Sequence, residues 1–412
     1  MTDHDGFFLS RQPVVASERT VMGWQLEMQS AAGDRFQSEQ PVGDGYLSAL
    51  EAFASSADWD SMLCGGRAFL YADRRIVYSD IMELIPRNRL VLQLTAQTEV
   101  NASLSNRLHA LSAQRGVRLA FLDYGRRDPR EMLIDLADAV HVDAFGQSAE
   151  ARGLLIRRAK RRGLQVMANS IRSDSDFMQI RAAGFDLIHG VSYQDASADE
   201  LTRANPDGKL IMQLLVEAGA DIEIPAVTEV IEGNETLTEG LLRLVNSLEL
   251  ARAQKIESVG QSLMMIGAKG LSRWLMLLLF QIGHQGGAKG PLFRVAASRA
   301  KQMELLTLDS AGTSPSGKER GHEAFLIGIL SLVHVLFGMD RQAVLADLAL
   351  TPEMDRALGE YGGELGRMLR LVECLDRGDF AETAELAEEL DISSADLWRH
   401  QKEAYAWVMQ ME

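Results

Sequence analysis

The stretch VRLAFLDYG, residues 117–125, sets the interpretation of the whole chain. It is an apolar strand pattern that ends in one carboxylate, Asp123, shortly before Gly125. The preceding residues 103–116 have leucines at helical spacing and stop at a glycine, so the two segments predict a helix–strand unit of a parallel sheet. In a barrel of such units, catalytic groups gather where the strands end. Asp123 is therefore either a catalytic carboxylate or a residue that turns the chain, and its position alone favours the turn.

The same strand pattern occurs repeatedly in the first half of the chain. The segments are residues 7–10, 21–28, 67–72, 90–94, 117–123, 138–144, 164–170 and 186–193. Helical patterns separate the later strands, namely residues 46–57, 129–137, 149–162 and 174–183. Apolar strands that alternate with helices predict a parallel sheet covered on both faces, and eight strands suit closure into a TIM-like (β/α) barrel. The first two strands are joined without a helix, which departs from a regular barrel.

The pattern changes near residue 194. The polar, turn-rich residues 194–209 can bury little, so we predict two domains, residues 1–198 and 199–412. The second domain is predicted to be all-helical, because its apolar residues recur at spacings of three and four. Its predicted helices cover residues 210–218, 225–231, 237–248, 259–267, 272–282, 292–306, 324–337, 342–349, 352–359, 364–377, 381–389 and 395–409.

Composition excludes some functions. The formal net charge of −16 opposes a nucleic-acid backbone or an anionic membrane as the main partner. The only cysteines, Cys64 and Cys374, lack metal-binding spacing, which fits a reducing cytoplasm. No signal peptide or membrane-spanning segment is predicted, so we expect a cytoplasmic protein without membrane insertion.

One apparent nucleotide-binding motif lacks features that phosphate binding requires. Residues 312–318 read G-x-x-x-x-G-K, but Glu319 stands where a phosphate loop needs Ser or Thr to hold magnesium. No strand precedes the motif, and Pro315 lies inside it. We therefore predict that residues 310–321 form a flexible connection without a bound nucleotide.

Two resemblances cover nearly the whole chain. SRQPVVASERTVMGWQLEMQ, residues 10–29, resembles the opening of EAL domains, the cyclic di-GMP phosphodiesterases, with their QPI strand and Y-E-(A/L)-L-x-R strand. Residues 241–247, 258–279 and 323–339 resemble the HDOD domain. The chain thus resembles the bacterial EAL-HDOD signalling proteins of the YuxH type. The resemblance implies an EAL-type barrel followed by an HDOD domain.

The resemblance places the family's metal-binding and catalytic positions on residues of other kinds. The signature glutamate of the second strand falls on Gln25, and the arginine four positions later falls on Gln29. The asparagine that ends the third strand is replaced by Tyr71. The metal-binding glutamate of L-E-I-T-E becomes Gln93.

On the later strands, too, several of the family's metal-binding and catalytic residues are replaced. In D-D-F-G the first aspartate becomes Leu122, whereas the second is retained as Asp123. The lysine of K-x-D becomes His141, and its aspartate is retained as Asp143. The other changed positions, in the E-G-V-E loop and before the last glycine, are Asn169, Arg172 and His189. Besides the two aspartates, the family residues retained are Gln12, Gly125 and Gly190.

These substitutions remove the chemistry of a metal-dependent phosphodiesterase. Hydrolysis with magnesium or manganese requires several carboxylates to hold the cations. His141 and His189, with the two aspartates, are either a zinc site or hydrogen-bonded pocket residues, and we favour the second interpretation. In the HDOD half, Ser331 and Leu332 stand where a metal-binding His-Asp pair would be sought. We therefore predict no metal and no cofactor.

The first functional hypothesis is a non-enzymatic signalling adaptor, in which a degenerate EAL barrel and an HDOD module present surfaces to protein partners. The alternative is a cyclic di-GMP receptor that binds without hydrolysis, with Gln12 and Asp123 as candidate ligand-binding residues. An active phosphodiesterase is the least supported. A nucleic-acid partner is not expected, because only 6% of residues are aromatic and no basic groove is evident.

Overall fold

The structure is a computed structural model that describes residues 6–31, 43–171, 174–190, 224–247, 256–283, 289–312, 314–337, 340–346, 348 and 350–411. The chain packs into two compact units. Unit one comprises Met1–Asp195 and Glu373–Lys402, and unit two comprises Ala196–Val372 and Glu403–Glu412. The domain boundary after residue 198 lies outside the described residues and stays a prediction. The return of Glu373–Lys402 to unit one has no counterpart in the sequence pattern.

Unit one is a closed barrel whose eight strands follow one another in sequence order. The strands are β1 Phe7–Ala16, β2 Val21–Ser30, β3 Arg67–Ala72, β4 Leu90–Leu94, β5 Arg118–Phe121, β6 Ala137–His141, β7 Gln165–Ile171 and β8 Leu187–Gly190. Neighbours from β2 to β8 are parallel, whereas β1 pairs antiparallel with both β2 and β8. The predicted barrel of eight strands with an irregular first pair is confirmed.

The helices of the barrel follow the predicted segments. They are α1 Asp44–Ser56, α2 Trp59–Leu63, α3 Arg74–Tyr78, α4 Ile81–Leu84, α5 Ala102–Arg115, α6 Ala149–Arg161 and α7 Asp174–Ala183. Helix α5 begins where the Asn101 side chain accepts the N–H of Leu104, and it ends at Gly116 in the left-handed conformation. The helical segment predicted over residues 129–137 is confirmed in part. Since β6 begins at Ala137, only the short 3-10 helix Glu131–Leu136 forms there.

An apolar layer fills the interior of the barrel. Strand side chains alternate between the interior and the surrounding helices, so residues two apart share a face. The apolar layer consists of Val14, Phe69, Val91, Ala120, Ala139, Met167 and Leu187, all buried. This layer separates one end of the barrel from the other, and the functional positions lie on one side of it.

Unit two is helical, as predicted. Its elements are α8 Ile224–Glu232, α9 Glu235–Ser247, α10 Val259–Gly283, α11 Pro291–Ala311, α12 Pro315–Leu330, α13 Val333–Phe337, α14 Arg341–Ala346 and α15 Pro352–Glu360. Three further helices complete the chain, α16 Gly363–Arg377, α17 Phe380–Glu389 and α18 Ser394–Met409. Helix α10 contains a kink at Gly267, where φ is 64°. The helix predicted over residues 210–218 lies outside the described residues.

The flexible connection predicted over residues 310–321 is wrong at both ends, since α11 extends to Ala311 and α12 covers the second half. Helix α12 begins at Pro315, a residue that suits the first helical position because it has no N–H to satisfy. The Ser314 hydroxyl caps the helix by accepting the N–H of Gly317. The apparent nucleotide motif therefore lies at the start of a helix. No described helix is both long and apolar enough to cross a membrane.

Gly23 lets β2 approach β3 closely, since a Cβ there would lie 2.4 Å from the carbonyl oxygen of Arg67. We expect Gly23→Ala to lower the free energy of unfolding by about 1–3 kcal/mol, because the backbone of β3 would have to shift. Urea unfolding followed by circular dichroism measures the change. Gly43→Ala is the control, since its Cβ would meet nothing within 4 Å. Equal effects of the two substitutions would contradict the expectation.

Candidate functional site

The candidate site lies at the barrel mouth, defined as the end where β2–β8 finish and β1 begins. Because β1 runs in the opposite direction, its first residues lie beside the last residues of β2. The register pairs Gln12 with Gln25 and Ser10 with Glu27. These residues alternate with the interior Val14, so they face into the barrel above the apolar layer. The mouth therefore contains two further interior layers.

The first of these, the polar layer, contains most of the residues that the sequence singled out. On every strand but β2, each member lies two positions beyond the apolar layer, toward the mouth. The members are Gln12, Gln25, Tyr71, Gln93, Leu122, His141 and His189. Those with the most complete burial are Gln12, Gln25, Gln93, Leu122, His141 and His189. Asn169 is part of β7, but its side chain lies outside the description, as does Arg172 altogether.

The buried amides in this layer are only partly satisfied. The Gln93 side-chain nitrogen lies 3.0 Å from Nε2 of His141 and can donate to that ring nitrogen. Within the part of the chain that the structure describes, Oε1 of Gln93 and Nε2 of Gln25 have no hydrogen-bond partner. A buried polar atom without a partner costs free energy, which a polar ligand or a water molecule can recover.

His189 lies at the end of β8 and has no described partner for its Nε2. Burial away from water penalises the charged imidazolium and lowers the pKa of His189 to about 4. The ring is therefore neutral at pH 7. A neutral histidine at this position supplies no charge to a phosphate.

A carboxylate that the sequence analysis missed, Glu27, lies in the second interior layer. The Tyr71 hydroxyl donates to Oε1 of Glu27 at 3.1 Å. Burial, and then the neighbouring Glu27 carboxylate, raise the pKa of Tyr71 well above its ordinary value, so the phenol stays protonated. Glu27 stands at a leucine position of the family motif, yet its spacing of two from Gln25 on a strand was sufficient to place it inside. Gln29, two residues further on, is half-buried.

The two retained aspartates lie at turns beyond the strands. Asp123 is exposed and has a left-handed backbone with φ of 49°, which asparagine and aspartate tolerate better than most residues. Asp143 is also exposed, and its Oδ1 accepts the N–H groups of Phe145 and Gly146 at 2.9 and 2.8 Å. Both positions therefore have the geometry of turn residues. Among the described residues, no group of three or more His, Cys, Asp or Glu could hold a metal ion.

A second feature absent from the sequence reasoning is a buried ion pair that joins β4 to β5. Arg130 and Asp128 are both buried, and Nη2 of Arg130 lies 2.7 Å from Oδ2 of Asp128. The same guanidinium donates to the carbonyl oxygens of Leu94 and Leu122, which lie where β4 and β5 end. Arg130 therefore fixes the rim on which Asp123 stands.

The interior side of the mouth contacts Glu373–Lys402, hereafter the C-terminal segment, along β1 and β2. The Ser10 hydroxyl donates to the carbonyl oxygen of Asp376 at 2.8 Å. Gly378 lies against Glu27, so closely that a Cβ on it would be 2.9 Å from Oε2 of that carboxylate. The ring of Phe380 is stacked on Phe8 with centroids 6.5 Å apart. Ser10 is fully buried as a result.

The outer side of the same strand is covered by helix α18. The Trp398 ring lies 5.4 Å from that of Phe7 and 5.5 Å from that of Phe53. Its Nε1 donates to the hydroxyl of Ser56 at 3.0 Å. The Gln401 side chain donates to the carbonyl oxygen of Leu9 at 2.9 Å. The C-terminal segment thus lies on both faces of the first residues of β1.

In unit two, Ser331 takes part in a structural contact. Its buried hydroxyl accepts from Arg299 at 2.8 Å and donates to the carbonyl oxygen of Gly328. The methionine-rich helix α10 is mixed in character, since Met276 is buried whereas Met264 has 73% of its surface exposed. An exposed, flexible apolar side chain of this kind suits a protein contact.

Comparison with known proteins gives matches along both halves. A family model described as the HDOD domain matches residues 209–300. YuxH of Bacillus subtilis, an uncharacterized protein, is 23% identical over 402 residues, which cover 94% of this chain and 95% of YuxH. CdgJ of Vibrio cholerae, named a cyclic di-GMP phosphodiesterase, is 23% identical over 409 residues, covering 97% of this chain and 92% of CdgJ.

Among solved structures, the calcium and cyclic di-GMP complex of Klebsiella pneumoniae BlrP1 is similar with a TM-score of 0.39 and 16% identity, covering 47% of this chain and 56% of that one. An EAL domain protein from Listeria monocytogenes has a TM-score of 0.38 and 14% identity, covering 46% of this chain and 87% of its own.

His189 makes stability depend on pH. Because its folded pKa of about 4 lies below its ordinary value, the unfolded chain takes up the proton more readily, and stability is lost as pH falls below about 6.5. We expect this residue to cost about 2 kcal/mol of unfolding free energy between pH 7 and pH 5. Urea unfolding at both pH values should show a smaller loss for His189→Gln. The exposed His109→Gln control should behave as the unsubstituted chain.

The buried ion pair yields a second stability prediction. We expect Arg130→Ala to lower the unfolding free energy by about 3–5 kcal/mol, since Asp128 would remain buried without its partner. The control is Arg158→Ala, whose 2.9 Å ion pair with Glu131 is partly exposed and should contribute less than about 1 kcal/mol. Thermal and urea unfolding of the two variants measure both changes in unfolding free energy. A small effect at Arg130 would show that the rim does not depend on it.

Proposed function

Because the chain is an EAL-HDOD two-domain protein, we propose that it is a cytoplasmic, non-enzymatic adaptor in cyclic di-GMP-linked regulation. In this proposal the barrel has lost hydrolysis, and both halves act through protein partners. The relation to CdgJ, which is named a cyclic di-GMP phosphodiesterase, makes hydrolysis the activity to test.

The neutral polar layer is the observation that supports the proposal most. Where the EAL resemblance expects metal-binding carboxylates, the buried residues are Gln25, Gln93 and Leu122. Neutral amides do not offset the desolvation of two divalent cations, and they do not help to form hydroxide from bound water. The nearest carboxylate on β2, Glu27, is held by Tyr71 instead. The donor set therefore does not fit a two-cation site.

A role in protein contacts is supported by the exposed part of α10. Met264 and Met265 have 73% and 42% of their surfaces exposed, although neighbouring Leu263 is buried. The stretch lies within the residues that match the HDOD model. Flexible methionines can adapt to partners of differing shape. We propose this surface as one contact of the adaptor.

The alternative, a cyclic di-GMP receptor, is favoured by one specific observation. Gln12 and Gln25 are paired across β1 and β2, and Gln25 has a buried Nε2 that no described group accepts. Such an amide is ready to donate to a polar ligand that enters the mouth. An active phosphodiesterase remains the least supported of the three hypotheses.

The three hypotheses are separated by one experiment on the full chain. Cyclic di-GMP is titrated calorimetrically with and without Mn²⁺, and the mixtures are analysed for linear product. We expect no product, because the polar layer has no carboxylate pair for the cations. Product formation at a rate proportional to protein concentration would refute the non-enzymatic proposal.

Binding without turnover would favour the receptor. In that case Gln12→Ala should weaken affinity by about tenfold or more, the effect of losing a buried hydrogen bond. The exposed Gln179→Ala in α7 is the matched control and should bind as the unsubstituted chain does. Absence of binding would leave the adaptor as the remaining hypothesis. A pull-down that compares Met264→Glu with the unsubstituted chain would then test whether protein partners bind α10.

A further inference from the structure

The C-terminal segment lies over the β1–β2 side of the barrel mouth. Asp376 and Gly378 lie directly over Ser10 and Glu27, and those residues form the layer immediately above Gln12. We propose that this segment is a built-in plug, which closes the barrel mouth and must withdraw before a ligand can reach the polar layer. The proposal goes beyond the function proposed above, and rests on it only for cyclic di-GMP as the probe.

The inner contacts of the plug suit reversible binding. Over the interior, the described contacts include the Ser10–Asp376 hydrogen bond, the packing of Gly378 on Glu27 and the stacking of Phe380 on Phe8. A single hydrogen bond of this kind contributes only about 0.5–1.5 kcal/mol. The apolar layer contains no residue of the C-terminal segment, so its packing does not depend on that segment.

The outer contacts are of a different kind. Trp398 is buried against Phe7 and Phe53, and Gln401 donates to the backbone of β1. The inner side has the single stack of Phe380 on Phe8, whereas Trp398 packs on two aromatic rings and also donates to Ser56. The outer contacts are thus the more numerous. They therefore keep the segment attached when the inner contacts open. The effective concentration of the plug at the mouth stays high because it is tethered at α18.

The plug also provides a route to the second unit through chain connectivity. Helix α16 begins at Gly363 in unit two and ends at Arg377 in the C-terminal segment. Its carboxyl-terminal turn includes Asp376, the residue bound to Ser10. Withdrawal of the plug therefore displaces the end of a helix whose first residues belong to the helical unit. A ligand that displaces the plug would therefore also move the carboxyl-terminal end of α16.

A substitution at Gly378 places a side chain against Glu27, and it also carries backbone strain that Gly378→Asp and Gly378→Asn share. Gly378 has φ of 73°, and aspartate and asparagine tolerate this region better than other residues. Gly378→Asp puts a carboxylate beside the Glu27 carboxylate, whereas Gly378→Asn has the same size without the charge. Gly363→Asp controls for strain and added charge, since Gly363 has the same φ and open space around it.

Hydrogen–deuterium exchange of the full chain, read by mass spectrometry, tests the plug directly. We expect Gly378→Asp to speed amide exchange around residues 376–380 by about tenfold or more, because like charges repel at close range. Gly378→Asn should speed this exchange less, and Gly363→Asp should leave it unchanged. Adding Glu27→Gln to Gly378→Asp should restore protection. Strands β3–β7 should keep their protection throughout.

Two exchange results would overturn the plug. One is unchanged protection at residues 376–380 in Gly378→Asp. The other is loss of protection across the barrel strands, which would make the segment an inseparable part of the barrel.

Addition of cyclic di-GMP distinguishes the plug from the proposed function. Binding that speeds exchange at residues 376–380 supports the plug, and Gly378→Asp should then bind the nucleotide more tightly than Gly378→Asn. Binding that leaves this exchange unchanged refutes the plug while keeping the receptor. A third outcome is faster exchange at residues 376–380 in Gly378→Asp while no variant binds the nucleotide. That outcome supports the plug and rules out the receptor alternative.

Discussion

The antiparallel pairing of β1 with both β2 and β8 is the constraint on which the rest of unit one depends. It closes the sheet, so that no edge strand is left unpaired. It also fixes the register in which Gln12 faces Gln25 and Ser10 faces Glu27. A slip of one residue would turn these side chains outward and expose the apolar interior. The position of β1 therefore determines both the core and the chemistry of the mouth.

The interior of the barrel changes character from layer to layer. The apolar layer contains no polar atom that needs a partner, whereas the polar layer above it contains buried amides and two histidines. Burial keeps His189 neutral, and Tyr71 remains protonated beside Glu27. The described polar layer thus presents hydrogen-bonding groups and no carboxylate, whereas Glu27 lies in the layer above it. Such a surface suits recognition of a ligand or a chain segment better than the activation of water on a metal.

The sequence pattern was sufficient to predict the eight strands and most of the helices, because alternation and helical spacing are local properties. The family resemblance, rather than the pattern, singled out Gln25, Gln93 and His189. The pattern could not find the Arg130–Asp128 pair, since nothing local shows that Arg130 reaches Leu94 across the sheet. The return of the C-terminal segment was equally invisible, because Trp398 and Ser56 are separated by 342 positions.

That separation has a consequence for how the protein is made. Ribosomes add roughly 5–20 residues per second, so Phe7 and Phe53 wait roughly 20–70 s before Trp398 is synthesised to cover them. During this interval the start of β1 exposes aromatic surface, and a nascent barrel is open to aggregation or to chaperone binding. A chain truncated before α17 would keep this surface exposed permanently. Quality control in the cell would therefore distinguish complete chains from incomplete ones at the same strand that closes the barrel.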